Sequence, residues 1–295
     1  MSEFESQLGE VKAKLKYPSA TTLATLVESL SELLEEASFT ITKEGVKAVG
    51  MDPAKVAYIE VTIPYANFLE YEVPEEGVNL GANLSALSRA LSRVKKTDVV
   101  TLEVSPSNLL VRVEGQTIRE YLLPNLEVSS EVPEIKLEHT AHVKILSDPF
   151  KRALSDAGEF GDVVELEATE NMFAVRAASE KRVEAKFLSG SASLVAIEVN
   201  ERTTSRYDFN YLDKVLAMAK VADAVDVQFS TDRPLELKFE SPGGMSVRYV
   251  LAPAAAGAAP AAEEKVEAAR EEEEESEGEE AEAEGEEEEG GSEEE

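Results

Sequence analysis

The chain has 295 residues and carries 60 acids against 29 Lys and Arg, a formal net charge of −31. With 43% hydrophobic residues there is material for one large domain or two of ordinary size, and the absence of Cys excludes disulfides, thiol nucleophiles and Cys-based metal sites. No apolar run approaches the ~18–20 residues that span a bilayer, and the acidic start MSEFESQLGE has no signal-peptide core. The expectation is a soluble intracellular protein of cytoplasm, nucleoid or nucleus, with no membrane partner. The charge is uneven: residues 254–295 hold 20 Glu against Lys265 and Arg270, whereas the rest is only moderately acidic. Total charge of this sign argues against general nucleic-acid affinity, whose usual mark is a basic footprint.

In chain order, EVKAKLKY alternates Val11, Ala13, Leu15 and Tyr17 against three lysines, predicting a strand with one wet face. SATTLATLVESLSELLEEA places Leu23, Leu26, Val27, Leu30, Leu33 and Leu34 at helical spacing, with Ser19 as its cap. Short alternating stretches follow to Pro64. A second helix, NLSALSRALSRVKK, is capped by Asn83, and strands then run to REYLLP at Pro124. The second half repeats the plan, with a helix at 147–158, strands, a helix after Asp208 and closing strands to Pro253. Asn83 and Asp208, Leu87 and Leu212, Leu91 and Leu216, and Ser105 and Ser230 all correspond at one offset, so the chain reads as an internal duplication. Each copy has two helices and about eight or nine strands, an α+β pattern with the helices on one sheet face. The predicted organisation is an N-terminal extension (1–10), a first domain (11–124), a connector (125–139), a second domain (140–253) and a disordered acidic tail (254–295).

Catalytic chemistry is scarce. His139 and His142 are the only histidines, and in a strand-like segment without companion ligands they read as surface residues, not a metal site. Ser92 to Lys95 fits a Ser-x-x-Lys spacing without its companion motifs. No phosphate-cradling Gly loop is present. The reading is of a protein without catalytic residues, metal or cofactor. Basic residues instead gather on the helices. Arg89, Arg93 and Lys96 recur opposite the stripe Leu84, Leu87, Leu91 and Val94. The corresponding helix buries Leu212, Val215, Leu216 and Ala219 and exposes Lys214 and Lys220. Lys151 and Arg152 lie near the exposed side of the helix at 147–158.

The order and spacing of GVKAVGMDPAKVAYIEVTIP, NLSALSRALSRVKKTD, the connector and PLELKFES…MSVRYVLAP resemble the proliferating cell nuclear antigen family, the archaeal and eukaryotic DNA sliding clamp, from about Val11 to Pro253. The resemblance implies two duplicated clamp domains and a trimeric ring around duplex DNA, with the helices lining the hole. Arg89, Arg93, Lys96, Lys151, Arg152, Lys214 and Lys220 would then face phosphates without reading sequence. It implies a processivity factor for replication and repair that tethers a DNA polymerase. The polymerase, a clamp loader, a flap nuclease and a ligase would dock short peptides on Met51, Val56, Tyr58, Val128, Pro234, Val250, Leu251, Ala252 and Pro253. The subunit joint is assigned to sheet edges at Leu109, Leu110, Val111, Arg112 and Val113 and at Met172, Phe173, Ala174, Val175, Arg176 and Ala177. Two departures stand out. The first helix has Ala24, Thr25 and Ser31 where relatives carry lysines, and adds Glu28 and Glu32. Val250 stands where relatives have an aromatic. Both would suit one subunit of a heterotrimer as well as a homotrimer. The alternative is an acidic chaperone-like protein that never encircles DNA.

Overall fold

The computed structural model describes residues 3–128, 135–179 and 183–254. The expectations for the middle of the connector (129–134) and for the acidic tail from residue 255 fall outside these. After a short helix α1 (Glu3–Leu8), the first half runs β1 (Ala13–Tyr17), α2 (Ala20–Ser31), β2 (Glu36–Thr42), β3 (Gly45–Met51), β4 (Ala57–Pro64), β5 (Glu70–Glu72), β6 (Val78–Asn83), α3 (Leu84–Leu91), β7 (Val99–Val104), β8 (Asn108–Glu114) and β9 (Ile118–Pro124). The second half repeats that order: β10 (Ala141–Leu146), α4 (Ser147–Gly158), β11 (Val163–Thr169), β12 (Met172–Ala177), β13 (Glu184–Leu188), β14 (Leu194–Val199), β15 (Thr203–Asp208), α5 (Phe209–Asp213), β16 (Ala224–Phe229), β17 (Leu235–Glu240) and β18 (Ser246–Leu251). Short 3₁₀ turns occupy Tyr65–Asn67 and Leu216–Lys220.

The strands form three antiparallel sheets, ordered β5-β1-β7-β8-β9, β14-β10-β16-β17-β18-β4-β3-β2-β6 and β13-β12-β11-β15. The long sheet crosses from one half to the other where β18 pairs with β4, Arg248 opposite Glu60. Alternation decides which face is dry. Leu15, Leu102, Val111 and Tyr121 form one inward row, while Lys14, Lys16, Glu103 and Arg112 point outward. On the dry side the helical elements form one layer: α2 packs on α3 and on the 216–220 turn, which packs on α4.

Caps fix the helix starts as expected. Ser19 Oγ accepts from Thr22 N (3.4 Å), Asn83 Oδ1 from Ala86 N (2.9 Å) and Asp208 Oδ1 from Asn210 N (2.8 Å). The helix ends differ from the periodicity. Leu33 and Leu34 are buried but lie beyond α2, which stops where Ser31 Oγ donates back to Glu28 O. Helix α3 ends at Leu91 because Asp98 captures the chain beyond it. Its Oδ2 accepts from Lys95 N (3.0 Å) and its own N donates to Lys95 O (3.0 Å). Arg93, Val94 and Lys96 therefore sit in a turn. The helix expected after Asp208 is split into five residues of α5 and the 3₁₀ turn, leaving Lys214 and Ala219 half-buried. The N-terminal extension also folds: α1 lies against β8 and β9, Leu8 is 1% exposed, and Asn108 Nδ2 donates to Gln7 O. Burying such a leucine contributes about 1.5–3 kcal/mol.

The sheet edges require a correction. Leu109–Val113 lie on β8, which pairs with both β7 and β9, and Met172–Ala177 lie on β12, which pairs with both β11 and β13. Neither strand has a free side. The strong apolar alternation that made them look like edges is that of strands buried among neighbours. The ends next to them are β9 and β13, each paired on one side only. Of the other ends, three are blunted: Leu126 N donates to Gly81 O along β6, β14 carries a bulge opposite Lys144/Ile145, and β5 has three residues; on the fourth, β15, Thr204 N donates to Thr231 Oγ1 (3.4 Å). Neither β9 nor β13 shows a register shift, and each exposes an aliphatic residue, Ile118 (68%) and Leu188 (57%).

Candidate functional site

The helix layer carries the bases singled out from the sequence. Arg89, Arg93, Lys96, Arg152 and Lys220 are exposed, and Lys151 and Lys214 half-buried. Among the described residues none of the seven is held in an ion pair. Arg89 Nε donates only to its own helix, to Ser85 O (3.2 Å), and Lys214 Nζ lies 4.8 Å from the Tyr211 ring centroid. Residues 84–97 hold four bases, Lys95 included, and no acid. Other helices are mixed: Asp148 and Asp156 stand one turn either side of Arg152, and Glu28 on α2 and Glu32 just after it are exposed. The α3 segment is thus the cleanest cationic surface in an acidic body.

A second candidate lies on the outer face of the long sheet. Met51, Tyr58 and Val250 stand opposite one another on β3, β4 and β18, so alternation brings all three to one face. Val56 O accepts from Ala252 N (2.9 Å), and Pro234 precedes Leu235, which faces Leu251. These residues, with half-buried Pro253, form one apolar strip. Leu251 itself is wholly buried, on the inward side. Val128 is elsewhere. It lies over Gly81 of β6, three strands beyond β4 and so roughly 14 Å away at the usual strand spacing. A Cβ on Gly81 would sit 2.0 Å from Leu126 O, so only glycine lets the connector lie this close.

Family comparison fits this architecture. The N-terminal domain of proliferating cell nuclear antigen matches residues 11–116. The protein named DNA polymerase sliding clamp 1 of Aeropyrum pernix is 41% identical over 234 residues, 78% of this chain and 95% of that one. The DNA polymerase sliding clamp of Thermofilum pendens is 33% identical over 243 residues, 81% of this chain and 98% of its own. The chain belongs to the proliferating cell nuclear antigen family. Its fold agrees with that of the Thermococcus kodakaraensis antigen (TM-score 0.74, 23% identity, 82% of this chain, 100% of that one). It also agrees with a subunit in a complex of two such antigens from Sulfolobus tokodaii (TM-score 0.77, 25% identity, 81% of this chain, 98% of that one). The α+β fold of two duplicated clamp domains is that of this family. Nothing in these relatives supports an acidic chaperone-like protein.

In this clamp-family chain several residues that organise the candidate strip were not singled out from sequence. Asp52 is 5% exposed, and its carboxylate accepts from Ala54, Val56 and Ala57 N (3.1, 2.7 and 2.6 Å), folding the loop that carries Val56. Tyr211 Oη donates to Asp52 from α5 (3.3 Å). Asp followed by Pro is a local turn signal, whereas the distant partner Tyr211 is not legible from sequence. Arg248 holds Glu236 with two bonds (2.9 and 2.8 Å), lies 5.7 Å from the Tyr58 ring centroid and donates to Ile135 O (2.9 Å), fastening the end of the connector. Burial raises the Glu236 carboxyl, but His139 and Arg248 outweigh it and hold it at about 2. Burial and the bond to Glu60 push the Tyr58 hydroxyl up to about 12. His139 is not a surface residue. Its side chain is 3% exposed, with Nε2 3.7 Å from Glu236. His142 is exposed, and among the described residues no group of ligands could hold a metal.

Proposed function

We propose that this chain is a non-catalytic processivity clamp. Copies, alone or with related subunits, close into a ring around duplex DNA and hold a DNA polymerase at high effective concentration near the primer end. The observation that carries this reading is the α3 segment. Its bases lie in a family fold whose helices form one layer, and they are left without acids. Bases not neutralised within the protein can release counterions from phosphates, which gives affinity without sequence preference. Closure would use the free sides of β9 and β13, in a head-to-tail joint that forms a ring when the rotation fits. The two halves would serve as clamp domains (11–124 and 140–253) linked by 125–139. Polymerase, clamp loader, flap nuclease and ligase would dock short peptides along Met51, Val56, Tyr58, Pro234, Val250, Ala252 and Pro253. The subunit works inside the cell, where DNA is replicated.

Primer extension on singly primed circular DNA, with polymerase and clamp loader, tests the proposal. The chain should lengthen products made in one binding event. On linear DNA with open ends the gain should vanish, because a ring slides off. Equal stimulation of open linear DNA would remove the encirclement.

A further inference from the structure

At the end of the apolar strip, where β18 runs out, two bases stand without partners. Leu251 of β18 is flanked by Ala57 and Leu235, and Ala252 N donates to Val56 O (2.9 Å). Carried on one more residue, the same antiparallel alignment sets Pro253 between Lys55 and Arg233. At the usual strand spacing their backbones are about 10 Å apart, so a carboxylate between them is within reach of both side chains. Lys55 and Arg233 are exposed, and among the described residues neither is held in an ion pair. Elsewhere on this sheet bases are paired, Lys47 with Glu60 and Arg248 with Glu236. Two acids adjoin the site. Asp52 gives its carboxylate to three amides and Tyr211, and Asp232, exposed beside Arg233, makes no ion pair among the described residues.

The backbone singles out the same place. Lys55 (φ 59°) and Asp232 (φ 53°) are the only non-glycine residues with left-handed backbone among the described ones. Glycine would adopt this conformation without the steric cost that a Cβ brings, so the side chain at 55 is kept against a local preference. Such conformations persist where surrounding bonds over-determine them, and they gather at binding sites. Here Tyr211 Oη donates to Asp52 (3.3 Å), whose carboxylate folds the loop that carries Lys55, and Tyr207 Oη donates to Arg233 O (2.8 Å). Both tyrosines come from the β15–α5 segment, so one piece of the fold braces both loops.

We infer that Lys55 and Arg233 form a carboxylate site, so that the peptides held on the strip carry an acidic side chain beside their apolar anchors; this rests on the peptide-docking reading above. Charge complementarity selects the ligand. A duplex would bring a row of phosphates against Asp232 and a body with an excess of acids, whereas a single acidic side chain meets only the two bases. Loops already fixed by Asp52, Tyr207 and Tyr211 need little further ordering when the ligand arrives.

Fluorescence anisotropy on the full chain tests this with synthetic peptides. They share one set of aliphatic and aromatic anchors and are extended, on one side or the other, by Glu-Glu or Gln-Gln. For the extension that reaches Lys55 and Arg233, Glu-Glu should bind roughly three- to tenfold tighter than Gln-Gln at low salt. The preference should fade at high salt. Lys55→Gln with Arg233→Gln should abolish it and leave the affinity of the Gln-Gln peptide unchanged. Equal binding of the two peptides by the native chain would overturn the carboxylate site and leave docking in place. A preference that survives in the double variant, with duplex affinity lost instead, would overturn it and assign the two bases to phosphate. If no anchored peptide binds, the docking reading itself falls and the site with it. Lys55→Gly should weaken the preference while the unfolding midpoint stays or rises, because glycine accepts the left-handed backbone. A lowered midpoint would make Lys55 a structural residue and overturn its assignment.

Discussion

The helix layer and the outer face of the long sheet both carry many bases, yet they treat them oppositely. On the sheet Lys47 is paired with Glu60 (2.6 Å), Lys144 with Asp226 (3.3 Å), Lys238 with Glu240 (2.6 Å) and Arg248 with Glu236 (2.8 Å). On α3 and the turn after it, Arg89, Arg93 and Lys96 make no such pair among the described residues. The difference arises from spacing. A sheet places oppositely charged residues side by side, on neighbouring strands for three of these pairs and two residues apart on β17 for Lys238 and Glu240. A helix offers a base only its own i±3 and i±4 neighbours, and on α3 these include no acid. The same residue type is a structural fastener in one region and an open charge in the other.

The largest effect that would break this contrast is a reversal of the open charges. Arg89→Glu with Arg93→Glu should cut processivity on primed circles by more than tenfold. The salt slope of DNA binding should fall by about one per lost phosphate contact, while urea unfolding moves by less than about 0.5 kcal/mol per site, since no native pair is lost. A variant that instead loses stability would show that these bases are fasteners too. The opposite outcome is expected for Arg248→Ala. Loss of a half-buried, doubly bonded charge should cost about 2–3 kcal/mol in urea unfolding and speed amide exchange near Ile135, with DNA binding unchanged.

Acid provides a milder probe of the paired region. The Glu236 carboxyl is held at about 2, below its ordinary value of 4.5. A depressed folded value means that its stabilisation is complete above about pH 4.5 and is lost as pH falls from there towards 2. Unfolding free energy followed through that window should decline less in Glu236→Gln than in the native chain. The smallest effects separate bases within each region. Arg152→Glu should lower processivity less than Arg89→Glu, because Asp148 and Asp156 already offset its charge. Lys144→Ala, removing an exposed pair, should change unfolding by under about 0.5 kcal/mol.

Much of this was legible in the sequence because it is local or periodic. Alternation marked β1 and the closing strands, the caps Ser19, Asn83 and Asp208 marked helix starts, and the repeat offset revealed the duplication. The family followed from motifs in order. The bases of the α3 segment were also legible, although their continuous helical stripe was not, since Asp98 ends that helix through bonds to Lys95.

What the sequence by itself determined is therefore the set of elements, their inward faces and their repetition, because periods of 2 and 3.6 residues are properties of the chain. Only the tertiary structure decided which strands lie at the edges. Strands β8 and β12 look most like exposed pairing surfaces, yet both their sides are taken by neighbours, and the sheet ends beside them are β9 and β13. It also decided that Val128 parts from Tyr58, that His139 is buried against Glu236, and that Arg248 fastens the connector. Each depends on which distant strand lies alongside. That order is set by the packing of the whole sheet, and no short window of sequence contains it.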